Sequence, residues 1–582
     1  MEKKKMAIYS IVALVALALL VVGATYAYFQ NQYGAASNAD VKVTTYTTDV
    51  LTFETGSNIS ITAGQDDFAS GKGNKTGQTF TRATLQANNK TNTATANYYM
   101  YLNIETNTFT YTNTGTPELL LQVINKTTGK PVDKITGLVY KTVTDGKNTS
   151  ISGFDITNKS GLITILNNKE ISASPKTIEE YTITITFINH NYDQNINAGK
   201  TFNSRVIIQK ERLITSISDV AKNGDNLVTA IQNLSTKSKP SYTGLYHHDA
   251  SLTNGAGDNS YRFAGADPNN YVCFGSDEAT CPNENLYRII GVIDGKVKLI
   301  HAYGATTTML GTNEGYAKTY KEAMSNNLEL AQLFYKGKED FAKIGSYKWN
   351  KTGDNTWSTS TTNTTNLNTN YLTYLDGKNT KWKNMIADTT WYVGGMTSTN
   401  GALSNAKTAY NYEVGANKDA TTTVTSKIGL MYVSEYYYGA TPDYWTLPGA
   451  DQNGHPNEDQ TAWIGEDYSK AYNDNWMSTG LIELTISRTS DASGGAFGVN
   501  GYGYVSGGGV VDSYGYVARP SFSLSSSIKF TSGEGTAVNP IRIKLWLDDY
   551  ACIGRKGWHN TLQEQFWSYV SRFRRGIRKY II

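Results

Sequence analysis

Strict alternation over a short run sets the fold class. In "YTITITFIN", Tyr181, Ile183, Ile185 and Phe187 fall on one side of an extended chain, and Thr182, Thr184 and Thr186 on the other. Period two with one apolar side marks a strand that buries one face. The stretch "YYMYLNIETNTFTYTNTGTPELLLQVINKTTGKPV" reads as several such strands broken at Asn, Gly and Pro turns, and "FNSRVIIQKE" as a closing strand. Composition agrees, because Thr and the 41 Tyr favour strands while Asn and the 53 Gly favour turns. Residues 28–211 are therefore expected to form a β-sandwich.

The rest of the 582-residue chain is mixed. Residues 212–255 read as a linker with short helices, because Val220, Leu227, Ile231 and Leu234 recur at roughly helical spacing before Pro240. Residues 256–543 read as an α+β domain dominated by strands. Two apolar runs around Asp294-Gly295 signal a hairpin. "YLTYLDGKNTKWKNMI" suggests short helices, and "KIGLMYVSEYYYGA", "LIELTISRTS" and "YVARPSFSLSS" suggest strands. The Thr/Asn/Ser run from Lys351 to Asn370 reads as a surface loop. The fold class expected is mostly β: an N-terminal β-sandwich followed by an α+β domain.

Lys3, Lys4 and Lys5 precede an apolar run from Met6 to Gly23, the pattern of a secretory signal. The alternative is a retained anchor, since such a run is long enough to span a bilayer. In a secreted chain, Cys273 and Cys281, in the turn-rich loop "YVCFGSDEATCPN", are expected to pair, leaving Cys552 over. The net charge of +3 resolves into two basic ends and a mildly acidic body. That distribution gives no general field for nucleic acid.

The residues "GATYAYF" resemble the cleavage region of the camelysin/TasA family of secreted matrix proteins. The resemblance implies a cut between Ala27 and Tyr28, and an extracellular or cell-surface location in a Gram-positive-type bacterium. It also implies self-assembly through the N-terminal domain, in which "YFQNQYGAASNADVKV" would complete a neighbour's sheet. The alternative for Tyr28 to Asn38 is a frayed terminus.

The segment from Ile486 to Leu524 carries the functional expectation. Between Ser487 and Arg519, 21 of 33 residues are Tyr, Ser, Gly, Asn or Asp. Tyr offers large amphipathic contact area at low entropic cost, and Ser, Gly and Asn adapt their hydrogen bonds. Ile486, Phe497, Val499, Val505, Val517, Phe522 and Leu524 are spaced to anchor strands beneath a surface. The candidate binding residues between them are Asp491, Ser493, Asn500, Tyr502, Tyr504, Ser506, Asp512, Ser513, Tyr514 and Tyr516. The bland alternative is a Gly/Tyr-rich loop whose Tyr side chains merely pack on a sheet.

"ISRTSD", "AFGV" and "VARPSFSL", with the Trp-rich segments upstream, resemble a C-type-lectin-like domain of the formylglycine-generating-enzyme-like branch, over about Tyr261 to Ile543. In that branch a strand bearing an Arg-Pro pair, here Arg519-Pro520, closes the fold. Some members are targets of diversity-generating retroelements, which turn Asn codons into Tyr, Ser, Asp and Gly. The resemblance thus implies a diversifiable face for an extracellular ligand, a protein or glycan on another cell or phage. The lectin calcium motifs are absent, "ADPNN" at Asp267 and "NDNW" at Asp474 being superficial echoes. The cysteine nucleophiles of the oxidase branch have no counterpart near the face.

No enzyme, cofactor or metal site is expected. Adjacent His247 and His248 would point to opposite faces of a strand, a poor chelate, and Glu179-Glu180 reads as a solvated pair. From Lys544 the composition breaks into a basic amphipathic helical pattern through "NTLQEQFWSYVSRFRRGIRKYII". Residues 544–582 are open between an anionic-surface binder and a non-native extension. Two functions outside the binding class also stay open: a structural matrix fibre and a secreted hydrolase.

Overall fold

A computed structural model describes residues 48–64, 67, 72–88, 92–113, 115–190, 192–398, 400, 405–446, 474–511 and 515–545. The expected signal and its cut at Ala27 and Tyr28, the segment Tyr28 to Asn38, Cys552 and the tail beyond 545 lie outside the described residues. The chain divides into two compact units, Met1–Leu213 and Ile214–Ile582. Most of the described secondary structure is antiparallel sheet.

Among the described residues, the first unit holds eleven strands: β1 (Val50–Thr55), β2 (Ile59–Thr62), β3 (Lys75–Gln86), β4 (Ala94–Asn107), β5 (Leu119–Asn125), β6 (Lys130–Pro131), β7 (Tyr140–Thr144), β8 (Ser150–Asp155), β9 (Gly161–Ala173), β10 (Lys176–Phe187) and β11 (Thr201–Gln209). One sheet runs β1-β3-β10-β5-β8-β7, with β6 beside β5, and the other runs β2-β11-β4-β9. Tyr181, Ile183, Ile185 and Phe187 of β10 are buried, as their alternation requires. They share one core with Met100, Leu102 and Ile104 of β4 and with Phe202 and Val206 of β11. Two sheets with their apolar sides facing make a sandwich. Glu179 and Glu180 part to opposite sides: Glu179 accepts from the Tyr98 hydroxyl at 2.6 Å, while Glu180 pairs with Arg82 at 2.7 Å.

The second unit contains the segment expected as a linker. Residues 214–255 belong to that compact unit instead, with Ile217, Leu227, Ala230, Ile231, Leu234 and Leu245 in its core. The helix Leu227–Lys237 is capped by Asn226, whose side chain accepts from the Thr229 amide, and it buries Leu227, Ala230, Ile231 and Leu234. The helical spacing was legible, but a separate linker would have left that stripe in water. The following strand β12 (Leu245–His248) is the edge of a sheet with β13 (Ser260–Phe263), β14 (Tyr271–Cys273), β15 (Leu286–Ile293), β16 (Lys296–His301) and, from far along the chain, β25 (Ser521–Ser523). β15 and β16 form the expected hairpin. Asp294 and Gly295 both take positive φ, 49° and 69°, as a tight hairpin turn requires.

Three further expectations change. The run Lys351 to Asn370 is not a surface loop, since Asn355, Ser360, Thr362, Asn363, Asn366 and Leu367 are buried. Its second half, Thr362–Tyr371, is a helix whose asparagines reach carbonyls of neighbouring segments: Asn363 donates to the Trp357 carbonyl, Asn366 and Asn370 to that of Leu310, and Asn368 to that of Ile428. "KIGLMYVSEYYYGA" is not a strand. Its centre, Val433–Tyr438, is a helix buried on every side, Ser434 and Glu435 included, so no solvent face marks its period. Lys544 and Leu545 belong to β27 (Arg542–Leu545), paired with β26 (Ile528–Ser532), so the domain runs past the expected boundary at 543. Strands β19 (Thr389–Tyr392) and β20 (Thr423–Ser426) form a separate antiparallel pair.

Cys273 and Cys281 form a disulfide. Four tryptophans, Trp349, Trp357, Trp391 and Trp445, fill the centre of the second unit.

Candidate ligand-binding face

A second sheet of this unit organises the Tyr/Gly-rich segment. It comprises β17 (Tyr316–Thr319), β18 (Gly345–Tyr347), β21 (Glu483–Arg488), β22 (Gly495–Val499), β23 (Val505–Val510) and β24 (Tyr516–Val517), in the order β17-β18-β24-β21-β22-β23. One row of cross-strand partners runs Ser346, Val517, Glu483, Val499, Val505. All five are buried. All seven apolar anchors named from the sequence, Ile486 through Leu524, are at most 1 % exposed. Burying each side chain of this size contributes about 1.5–3 kcal/mol.

Period two turns the alternate residues to the other side. Tyr504, Ser506 and Tyr516 stand there, half-buried, with Asn500 at the strand end. Gly498 sits between them, paired with Ser506. A Cβ on Gly498 would lie 3.6 Å from the Tyr516 ring, so that ring rests across the bare glycine backbone. Tyr516 is also the cross-strand partner of Tyr347, which packs edge-on against Tyr316 at 5.9 Å.

The hairpin tip is a tight turn. Asn500 accepts from the Tyr502 amide through its side chain at 3.1 Å and from the Gly503 amide through its carbonyl at 2.8 Å. Gly503 supplies the positive φ of 93°. The Tyr502 ring meets Phe334 edge-on, with centroids 5.3 Å apart. Phe334 ends the helix Leu328–Phe334, whose neighbour Leu333 is 74 % exposed. That approach needs Gly480, at φ 82°, because a Cβ there would overlap the Phe334 carbonyl.

The ten expected site residues do not form one cluster. Asn500, Tyr502, Tyr504, Ser506 and Tyr516 come together. Asp491 and Ser493 lie in the loop between β21 and β22, at the opposite end of the β22 strand, ~17 Å away by strand rise. Asp491 is occupied structurally: its carboxylate accepts from the Ser398 amide and hydroxyl at 3.0 Å. The Ser493 carbonyl accepts from the Asn355 amide at 2.8 Å. Asp512, Ser513 and Tyr514 lie outside the described residues. Sequence inspection missed Phe334, Leu333 and Tyr316, which border the face from other segments. Nothing local marks them, because only the strand order brings them there.

The Arg of the Arg519-Pro520 pair is not on the surface. Arg519 is 1 % exposed and donates to the carbonyls of His301, Met477 and Ala302 and to the Glu483 carboxylate. It holds the end of β16 and the segment before β21 around the strand that carries Tyr516.

Other candidate chemistry resolves into packing. His247 stacks on Tyr261 at 4.3 Å and pairs with Asp249, whereas His248 is buried and accepts from the Ala256 amide. Burial holds His248 well below the usual histidine range. Asp267 pairs with Arg288, and Asp474 accepts from the Tyr444 hydroxyl. Among the described residues, no group of three or more His, Cys, Asp or Glu side chains is arranged to hold a metal ion. Nor is any helix among them long and apolar enough to cross a membrane. No family model, curated protein or solved structure matches the chain.

Proposed function

We propose that this chain is a secreted or surface-displayed binding protein, and that its second unit presents Asn500, Tyr502, Tyr504, Ser506 and Tyr516 to an extracellular ligand. One observation carries the proposal. Around β23 and β24, fully buried Val505 and Val517 alternate with half-buried Tyr504, Ser506 and Tyr516, whose two rings lean on the core with one side and leave the other exposed. Three aromatic rings and a glycine-floored strip suit a protein or glycan surface, which aromatic faces engage by stacking and hydroxyl hydrogen bonds. Recognition of this kind is non-covalent and needs no cofactor. Asp491 and Ser493 are assigned to holding the loop between β21 and β22, apart from the face.

A panel of extracellular proteins and glycans screened against the full chain tests this. Tyr502→Ala, Tyr504→Ala and Tyr516→Ala combined should weaken any specific binder at least tenfold, while Asp491→Ala leaves it unchanged. Equal binding by the triple variant would overturn the assignment. Polymerisation of the pure protein, with the same triple variant polymerising equally, would favour the fibre alternative.

A further inference from the structure

Lys298 and Glu435 lie 137 positions apart in sequence, yet their side chains meet in the centre of the second unit. Nζ of Lys298 is 2.5 Å from Oε1 of Glu435, and the two side chains are 6 % and 5 % exposed. The lysine comes from the middle of β16 and the glutamate from the buried helix Val433–Tyr438. The rings of Trp391 and Tyr432 pack on the amine, at 4.7 and 5.0 Å, and keep water from it. The other glutamate oxygen, Oε2, accepts from the Tyr432 amide at 3.0 Å.

We propose that Lys298 and Glu435 condense spontaneously into an intramolecular amide, a covalent cross-link between β16 and the helix. Nζ attacks Cδ of Glu435, the Nζ–Cδ bond forms and the Cδ–Oε1 bond breaks. Oε1 leaves as water with two protons drawn from the ammonium group, so no oxidant or other reactant is consumed. Oε2 becomes the amide oxygen. It keeps the Tyr432 amide hydrogen bond throughout, and that donor stabilises the negative charge that develops on it during attack.

Three features of the site favour the step. The reacting atoms are held in contact by a packed core, which removes the entropic cost of encounter. Burial lowers the Lys298 pKa, which enlarges the fraction of neutral, nucleophilic amine. A second buried carboxyl, Glu413, acts electrostatically on the same amine, and burial raises its pKa to about 7. Glu413 is held at the start of the same helix, accepting from the Val433 and Ser434 amides at 3.0 and 2.8 Å. The product is a neutral amide in place of a buried ion pair, and it removes the desolvation penalty of two charges.

Intact mass measurement of the full chain, reduced and denatured, tests the proposal. The expected mass is lower than that of the polypeptide by one water, and a protease digest should contain a branched peptide joining Lys298 to Glu435. Lys298→Met should restore the full mass. Glu435→Gln should lose ammonia instead and reach the same cross-linked mass as the unaltered protein. Replacing Glu413 by Gln should slow the mass loss during refolding. Full polypeptide mass with no branched peptide in the unaltered, folded protein overturns the inference, whatever the variants do.

Discussion

Arg519 and Glu483 form an ion pair at 3.0 Å with both side chains only 1 % exposed. Every described contact of the guanidinium is internal, to three carbonyls and this carboxylate. The pair therefore fixes β21 and β24 beneath the candidate face and cannot also contact a ligand. Removing one member leaves an unpaired buried charge, which costs about 3–5 kcal/mol. We expect Arg519→Leu to lower the stability of the second unit by that amount in urea unfolding. Glu483→Gln with Arg519→Leu should cost clearly less than the two single changes added together.

Asn355 does for the β21–β22 loop what a strand would do elsewhere. Its amide nitrogen donates to the carbonyls of Thr489, Ala492 and Gly495, and its oxygen accepts from Arg488. Asn355→Ala leaves three carbonyls without that donor, and each lost partner costs roughly 1–3 kcal/mol if water cannot replace it. We expect a total loss of about 2–4 kcal/mol and faster amide exchange at residues 489–495, while the hairpin tip at Asn500 exchanges as before.

How much of this was legible follows one physical line. Alternation is a local property, so β10, the Asp294-Gly295 hairpin and the valine anchors at 499, 505 and 517 could be read directly. The helix Val433–Tyr438 could not, because all six residues are buried, Ser434 and Glu435 included, and a run with no solvent face shows no period. The buried role of Asn355, Asn363 and Asn366 was hidden because polar residues read as surface residues. A buried asparagine looks like a surface residue until its carbonyl partners are known. Tyr504 and Tyr516 were legible as surface candidates, but the approach of the Tyr516 ring to Gly498 depends on β21 lying between β24 and β22 in the sheet. Asp491 looked identical in composition and landed at the other end of the hairpin.

Glu413 should give the second unit an unusual pH dependence. It is fully buried, accepts from the Val433 and Ser434 amides at 3.0 and 2.8 Å and from the Ser487 hydroxyl, and burial raises it from 4.5 to about 7. The folded protein then holds a proton that the unfolded chain has released between these values. Its contribution is fully present below about 4.5 and is lost as pH rises through about 7. At ~1.4 kcal/mol per pKa unit this is on the order of 3 kcal/mol. Thermal unfolding from pH 4.5 to 8 should show a falling trend that Glu413→Gln removes. An unchanged slope in the variant would assign the trend elsewhere.

The disulfide Cys273–Cys281 closes a loop held by a second device. Arg542 of β27 donates to the carbonyls of Ser276 and Ala279 inside that loop, and Lys381 pairs with Asp277. A loop of eight residues is short, so closing it in the unfolded chain contributes about 2–3 kcal/mol. Replacing both cysteines by Ala should lower the melting temperature of the second unit by a few degrees without unfolding it, because Arg542 and Lys381 still hold the loop. Adding Arg542→Ala should cost more in the cysteine-free background than in the disulfide-bonded one. Strictly additive losses would show that the two devices act independently.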